Sequence, residues 1–327
     1  METSPNSSDK LIREYDPNFQ VTPEYRDSLP DVQNSGCAEL DGARVPILQV
    51  GISGFRLPLC YVGPDGENLN IETAVTGTVS LDADKKGINM SRIIRIFYEY
   101  KNETFSPEIF SRILREYKVR LDSKEARLKA QFSYPMMQES LRSGLQGFQF
   151  YDCCFEGIID RADRIQKIIH FDFVYSSACP CASELSEHAR EKRNLLAIPH
   201  SQRSKARISV EVHPDKEISL LELRDLCING LQTETQVMVR REDEQAFAEL
   251  NGANVKFVED AARLLYAQLN EEPKIIDFRV VCSHFESLHL HDSEHPIRFP
   301  APSHLSGDES ELSLARLATR SFDRSSQ

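Results

Sequence analysis

Hydrophobic and polar positions trade places with two distinct periods along this chain. Val75, Gly77, Val79 and Leu81 alternate with Thr76, Thr78 and Ser80, the period of a strand with one buried face. An earlier stretch, Ala43 to Ile52, is placed to pair with it. From Ser91 the period lengthens: Ile93, Ile96, Phe97 and Tyr100 recur as the apolar stripe of a helix. Ser106-Pro107-Glu108 sets a capping hydroxyl before a first-turn proline. It opens a second helix with Ile109, Phe110, Ile113 and Leu114 on one side. Two strands follow: Ala126, Leu128, Ala130 and Phe132 alternate with Arg127, Lys129 and Gln131, and Phe148 to Ile159 is richer in apolar residues and less regular.

The order then recurs. Ile169, Phe171, Phe173 and Tyr175 mark one strand, and Ile208, Val210 and Val212 a second. Ser219-Leu220-Leu221-Glu222 has the form of a capping box, opening a helix to about Cys227. A longer helix spans about Val255 to Leu269, Ile276 to Cys282 reads as a strand, and Phe285 to His291 as a candidate last one. Each half therefore predicts strand, strand, helix, helix, strand, strand. Helices grouped between strand pairs indicate an α+β fold with antiparallel sheets and argue against a doubly wound one. The expected division is a polar arm over 1–40, modules over 41–160 and 161–299, and a polar tail over 300–327.

Composition narrows the function. A formal charge of −12 over 327 residues argues against nucleic-acid coating or an anionic membrane surface, both of which need a positive field. An anionic small substrate needs only a local cluster, which Lys85-Lys86 with Arg92, or Arg203 with Lys205, can supply. No apolar run approaches the ~20 residues of a membrane span. The start Met1-Glu2-Thr3-Ser4-Pro5 lacks the basic and apolar regions of a secretory signal. A cytoplasmic, reducing compartment is expected, where the eight cysteines stay free and a minority serve as ligands or nucleophiles.

Candidate chemistry gathers in the second half. Cys179-Pro180-Cys181 follows a strand directly, so a loop can present a thiol to a cleft, with the proline stiffening the turn. Such a Cys-x-Cys pair is also commonly two packed thiols. His200 lies just ahead of the next strand, and Glu244 sits in the charge run Arg240-Arg241-Glu242-Asp243-Glu244. Spacing alone links none of the three. In Phe285-Glu286-Ser287-Leu288-His289-Leu290-His291-Asp292, an extended backbone would put His289 and His291 on one face, suited to a metal or to proton transfer. Alternation starts Glu286 on the opposite face.

Six segments in order resemble the GTP cyclohydrolase IB family over about residues 30–295: Asp31-Val32-Gln33, Lys86-Gly87-Ile88-Asn89-Met90-Ser91-Arg92, Ser177-Ala178-Cys179-Pro180-Cys181, Pro199-His200-Ser201-Gln202-Arg203-Ser204, Lys256-Phe257-Val258-Glu259-Asp260 and Glu286-Ser287-Leu288-His289-Leu290-His291. The resemblance implies tandem tunnelling-fold modules and a homotetramer with active sites at subunit interfaces. It implies conversion of GTP and water to 7,8-dihydroneopterin triphosphate and formate, the entry to tetrahydrofolate. By that likeness Cys179, His200 and Glu244 are ligands of one divalent metal per site. Zn, Mn or Fe all accept such donors. His289 and His291 carry protons, Glu286 anchors the purine, and Lys86, Arg92 and Arg203 meet the triphosphate. Glu259 is a further family-matched position.

The chain departs from the shortest family pattern at Ala182, where a serine often follows Cys-Pro-Cys, and in a longer Cys179–His200 interval carrying His188. His188 falls on what reads as an exposed helix face, and Cys181 reads as a bystander. Two other readings remain: a related tunnelling-fold nitrile reductase using NADPH, and a non-catalytic purine or pterin binder.

Overall fold

The computed structural model describes residues 14–30, 42–290 and 293–297. Within them, eight strands form one antiparallel sheet in sequence order: β1 (Ile47–Val62), β2 (Asn68–Leu81), β3 (Ala126–Glu139), β4 (Gln146–Ile159), β5 (Ile165–Ala178), β6 (Ser201–Val212), β7 (Ile275–Glu286) and β8 (Ser293–Ile297). The helices are α1 (Pro23–Asp27), α2 (Met90–Glu99), α3 (Pro107–Arg120), α4 (Pro180–Arg193), α5 (Leu220–Leu231), α6 (Arg241–Ala253) and α7 (Val258–Asn270). The expected α+β class is present, and the doubled tunnelling-fold order runs as β1-β2-α2-α3-β3-β4 and β5-β6-α5-α7-β7-β8, with α4 inserted between β5 and β6 and α6 between α5 and α7.

Period-two alternation becomes two unlike faces. Val75, Val79, Leu128, Ala130, Phe171, Phe173, Ile208 and Val210 turn inward and pack with Ile93, Ile96, Phe110, Leu114, Leu223 and Leu265 of the helices in one core. Gly77 and Gly157 permit the close approach. A methyl on Gly77 would stand 2.8 Å from Ile93 Cγ2, and one on Gly157 2.8 Å from Leu114 Cδ1. The other face carries charge, including Glu156, which accepts Arg127 Nε and stands 3.2 Å from Lys129 Nζ and 2.8 Å from His170 Nε2. These partners hold Glu156 at about 2 although burial opposes ionisation.

Register defines two ends. Ala178, Ser201 and Glu286 lie at one end, where Ala178 pairs with Ser201 and Gln202 with Glu286. At the other end lie Val79, Ala126, Ile159, Ile165, Val212 and Ile275. At 3.3 Å per residue the ends are about 35 Å apart along β6.

Several sequence expectations change. The short helix α1, capped by Thr22, falls inside the stretch expected to be an extended arm. β1 continues to Val62, past the expected Ile52. Helix α4 carries the exposed helix face read around His188, but its start at Pro180 was not expected, because its only buried residue is Ser186 and no apolar stripe marks it. Helix α6 buries only Asp243 and Ala246. Of the strand expected over 285–291, the described residues show strand only to Glu286, as the end of β7: residues 287–290 turn, and β8 pairs back with Val280 against Ile297. No described helix is long and apolar enough to cross a membrane.

Candidate functional site

Cys179 closes β5 and is the N-cap of α4, so the thiol-bearing residue sits where unpaired helix amides concentrate partial positive charge. The excursion through α4 ends beside its start: Cys179 N donates to His200 O at 3.3 Å, continuing the Ala178–Ser201 register. His200 Nδ1 is buried with no hydrogen-bond partner, an arrangement that costs free energy unless a ligand meets it. The backbone bond makes Cys179 and His200 cross-strand neighbours, and sulfur and imidazole nitrogen are donors that suit a borderline divalent metal.

A cavity of about 190 Å³ opens against Cys179, lined by it with Gln202, Lys256, Phe257, Val258, Glu259, His284 and Glu286. Strand pairing builds one wall. Gln202 opposes Glu286 and Ser204 opposes His284, so all four side chains share the helix-covered face. The start of α7 builds the other wall, tied down by Lys256 N donating to Ala178 O at 3.3 Å. His284 Nε2 lies 2.8 Å from Tyr175 Oη and its Nδ1 3.1 Å from Gln202 Nε2. Burial, helped by the Lys256 charge, pushes the imidazole down to about 4. Burial likewise lowers the Lys256 ammonium to about 8. The cavity is smaller than the ~300–1,000 Å³ that encloses whole ligands. A volume of this size has room for a ligand fragment such as a flat ring. A larger cavity of about 330 Å³ lies between α3 and α5 and holds neither Cys nor His.

Of the residues singled out from sequence, Cys179, Glu259 and Glu286 line this cavity and His200 adjoins it through Cys179. Glu244 stands exposed on the first turn of α6, beside Asp243, which accepts the backbone amides of Arg142 and Ser143 at the β3–β4 turn. Among the described residues no group of three or more His, Cys, Asp or Glu is arranged to hold a metal. Arg203 opposes Phe285 and so points to the face away from Gln202 and Glu286. Lys86 and Arg92 follow β2 at the far end of the sheet, where Arg92 Nη1 donates to Arg120 O at 3.2 Å. One chain therefore does not bring these three cations to the cavity. His289 is exposed in the turn after β7, and the strand alternation expected for it is absent. His291 and Asp31-Val32-Gln33 lie outside the described residues. His188 is exposed on α4, as is Cys181 near its start.

Gln202, Lys256 and His284 were not singled out. The first two stand inside family-like segments without a chemical cue of their own, and His284 looks like one more strand position.

Residues 29–294 match the family model described as type I GTP cyclohydrolase folE2. The chain belongs to the type I GTP cyclohydrolase FolE2 family. This is the IB type expected from the six segments. A FolE2 of Cereibacter sphaeroides is 56% identical over 284 residues, covering 87% of this chain and 79% of that protein. One of Paracoccus denitrificans is 55% identical over 283 residues, covering 86% and 88%. Among solved structures, a uricase from Bacillus fastidious aligns with a TM-score of 0.44 at 9% identity, covering 78% of this chain and 91% of that one. At that level the likeness carries no argument about function. FolE2 membership favours cyclohydrolase chemistry over the nitrile-reductase and silent-binder readings.

Proposed function

We propose that this FolE2 protein is a GTP cyclohydrolase that converts GTP and water to 7,8-dihydroneopterin triphosphate and formate, feeding tetrahydrofolate synthesis. The observation that carries the reading is Cys179, bonded through its backbone to His200 with its buried, unpartnered Nδ1, in the wall of a small carboxylate-lined cavity at one sheet end.

Cys179 and His200 would hold a divalent ion, with Glu244, exposed on α6 and not gathered with them among the described residues, as the family-matched third donor. Thiolate, imidazole and carboxylate leave Zn, Mn and Fe as candidates. When bound, such an ion supplies Lewis acidity that brings the pKa of water toward neutrality. The chain does the rest. Glu286 and Glu259 stand on the two walls of the cavity, and one of these carboxylates accepts guanine N1–H and one 2-amino proton together, fixing the base with C8 toward Cys179. Phe257 and Val258 help exclude water from the ring. His289 and His291 transfer protons during ring opening, formate loss and reclosure.

The cavity admits the base alone, and Lys86 and Arg92 lie at the opposite end of the sheet. We therefore assign the triphosphate to these cations from a neighbouring copy, in keeping with a homotetramer whose sites lie at subunit interfaces. Arg203, facing away in its own chain, is assigned the same role across an interface. The described cysteines are all free, which fits a reducing cytoplasm.

The experiment compares Cys179→Ala with Cys181→Ala in metal content and formate release. Cys179→Ala should lose bound metal and at least ~100-fold in rate with the fold intact, and Cys181→Ala should stay within ~3-fold. Full activity in Cys179→Ala removes it from the site.

A further inference from the structure

A carboxylate that takes guanine N1–H and one 2-amino proton leaves the other amine proton without a partner. Buried donors left unpaired are costly, so a pocket that selects guanine needs a third acceptor beside the carboxylate. Gln202 stands in the cavity wall directly opposite Glu286. Its side chain is buried, at 5% exposure, and its Oε1 has no hydrogen-bond partner. The other end of the same amide is engaged, with Nε2 3.1 Å from His284 Nδ1.

We propose that Gln202 is a specificity residue of the guanine site, its Oε1 accepting the second 2-amino proton, and that His284 is a positioning residue that keeps this oxygen turned to the base. The inference rests on the guanine reading of the cavity.

The hydrogen-bond chain accounts for the orientation. Nδ1 of His284 accepts from the Gln202 amide, so the ring proton resides on Nε2 and is donated to Tyr175 Oη at 2.8 Å. That hydroxyl is itself engaged by Cys282 and Ser204. The ring stays neutral, since burial and the nearby Lys256 depress its basicity, and a neutral ring keeps an acceptor for Gln202. With the amide turned over, its NH₂ would confront the guanine amine, donor against donor. The two residues also explain each other: a buried amide oxygen with no partner beside a fully engaged imidazole is wasteful in a pocket for anything lacking that donor.

The test uses metal-reconstituted protein, kcat/KM for GTP, and the inhibition constant of inosine triphosphate, which lacks the 2-amino group. Gln202→Met preserves shape and removes the acceptor. It should lower kcat/KM for GTP about 10- to 100-fold, while the inosine constant moves by less than ~3-fold. Equal losses for both nucleotides, or no change in either, would overturn the proposal. His284→Phe should erode the GTP preference by a smaller factor, about 3- to 10-fold, because the amide then loses only its orientation. Proportional losses for the two nucleotides would give His284 a purely structural role and remove it from the proposal. If Gln202→Met fails to fold, Gln202→Glu decides: the new side chain keeps an oxygen toward the base, His284 shifts its proton to Nδ1, and the GTP preference should stay within ~3-fold of the parent. A lost preference there would overturn the inference. A parent protein without GTP turnover refutes the cyclohydrolase reading beneath it, whereas an active parent with an unmoved preference in Gln202→Met refutes this inference alone.

Discussion

Replacing Glu211 by Gln should make the protein more stable at alkaline pH and leave it nearly unchanged at acid pH. Glu211 lies on β6 directly opposite Asp277 on β7, and both are buried. Its carboxyl oxygens each lie 3.3 Å from Gln166 Nε2, and no cation is among the groups that set its acidity. Burial, reinforced by the Asp277 charge, raises the carboxyl from its ordinary 4.5 to about 7. The folded state thus binds more protons than the unfolded chain between those values, and stability falls as pH rises through that window. At 1.36 kcal/mol per pH unit, the full cost once Glu211 ionises is about 3 kcal/mol. Urea unfolding of the parent and Glu211→Gln at pH 5 and pH 8 reads this directly. The variant should gain less than ~1 kcal/mol at pH 5 and about 3 kcal/mol at pH 8. A gain or loss of the same size at both pH values would refute the argument, because an amide that merely packs better or worse has no reason to track proton binding.

Two further substitutions probe the packing and the pocket. Gly157→Ala drives a methyl to 2.8 Å from Leu114 Cδ1 and 3.3 Å from Phe110 Cβ, so the urea midpoint should fall by the equivalent of ~1–3 kcal/mol; an unchanged midpoint would show that α3 can yield without cost. Glu286→Gln and Glu259→Gln separate the two candidate anchors: the carboxylate that takes the guanine edge should lose at least ~100-fold in kcat/KM for GTP and the other under ~10-fold. Losses under ~10-fold from both would remove carboxylate anchoring from the account.

What could be read from sequence follows how strongly each segment depends on its own pattern. Ile93, Ile96 and Phe97 are buried on α2, and the Ser219–Glu222 capping box forms with both of its bonds, because local spacing decides those features. Ser106 heads α3 as expected but makes no side-chain capping bond. Helix α6 escaped, and α4 showed only the face that carries His188, because each is polar nearly all round and buries two residues at most. The end of β7 escaped because pairing with β6 carries it on to Glu286, and pairing is a tertiary fact.

The same division holds in the site. Cys179 and Glu286 announce themselves by residue type and by family likeness. Arg203, beside Gln202, could have been placed on the opposite face by alternation once β6 was known to begin at Ser201. The separation of Lys86 and Arg92 from Cys179 was not legible, since which strand ends share a side depends on the register of all the strands between them. Gln202 and His284 became visible only when a buried oxygen without a partner appeared next to an imidazole whose two nitrogens are both engaged.

The central claim is most directly tested by incubating the purified, metal-reconstituted protein with GTP, following formate release together with the fluorescence of the oxidised pterin. The account predicts both products in equal amounts, their loss on chelation, and their return when Mn or Zn is restored. GTP left intact under every metal, or turnover that a chelator does not touch, would contradict it.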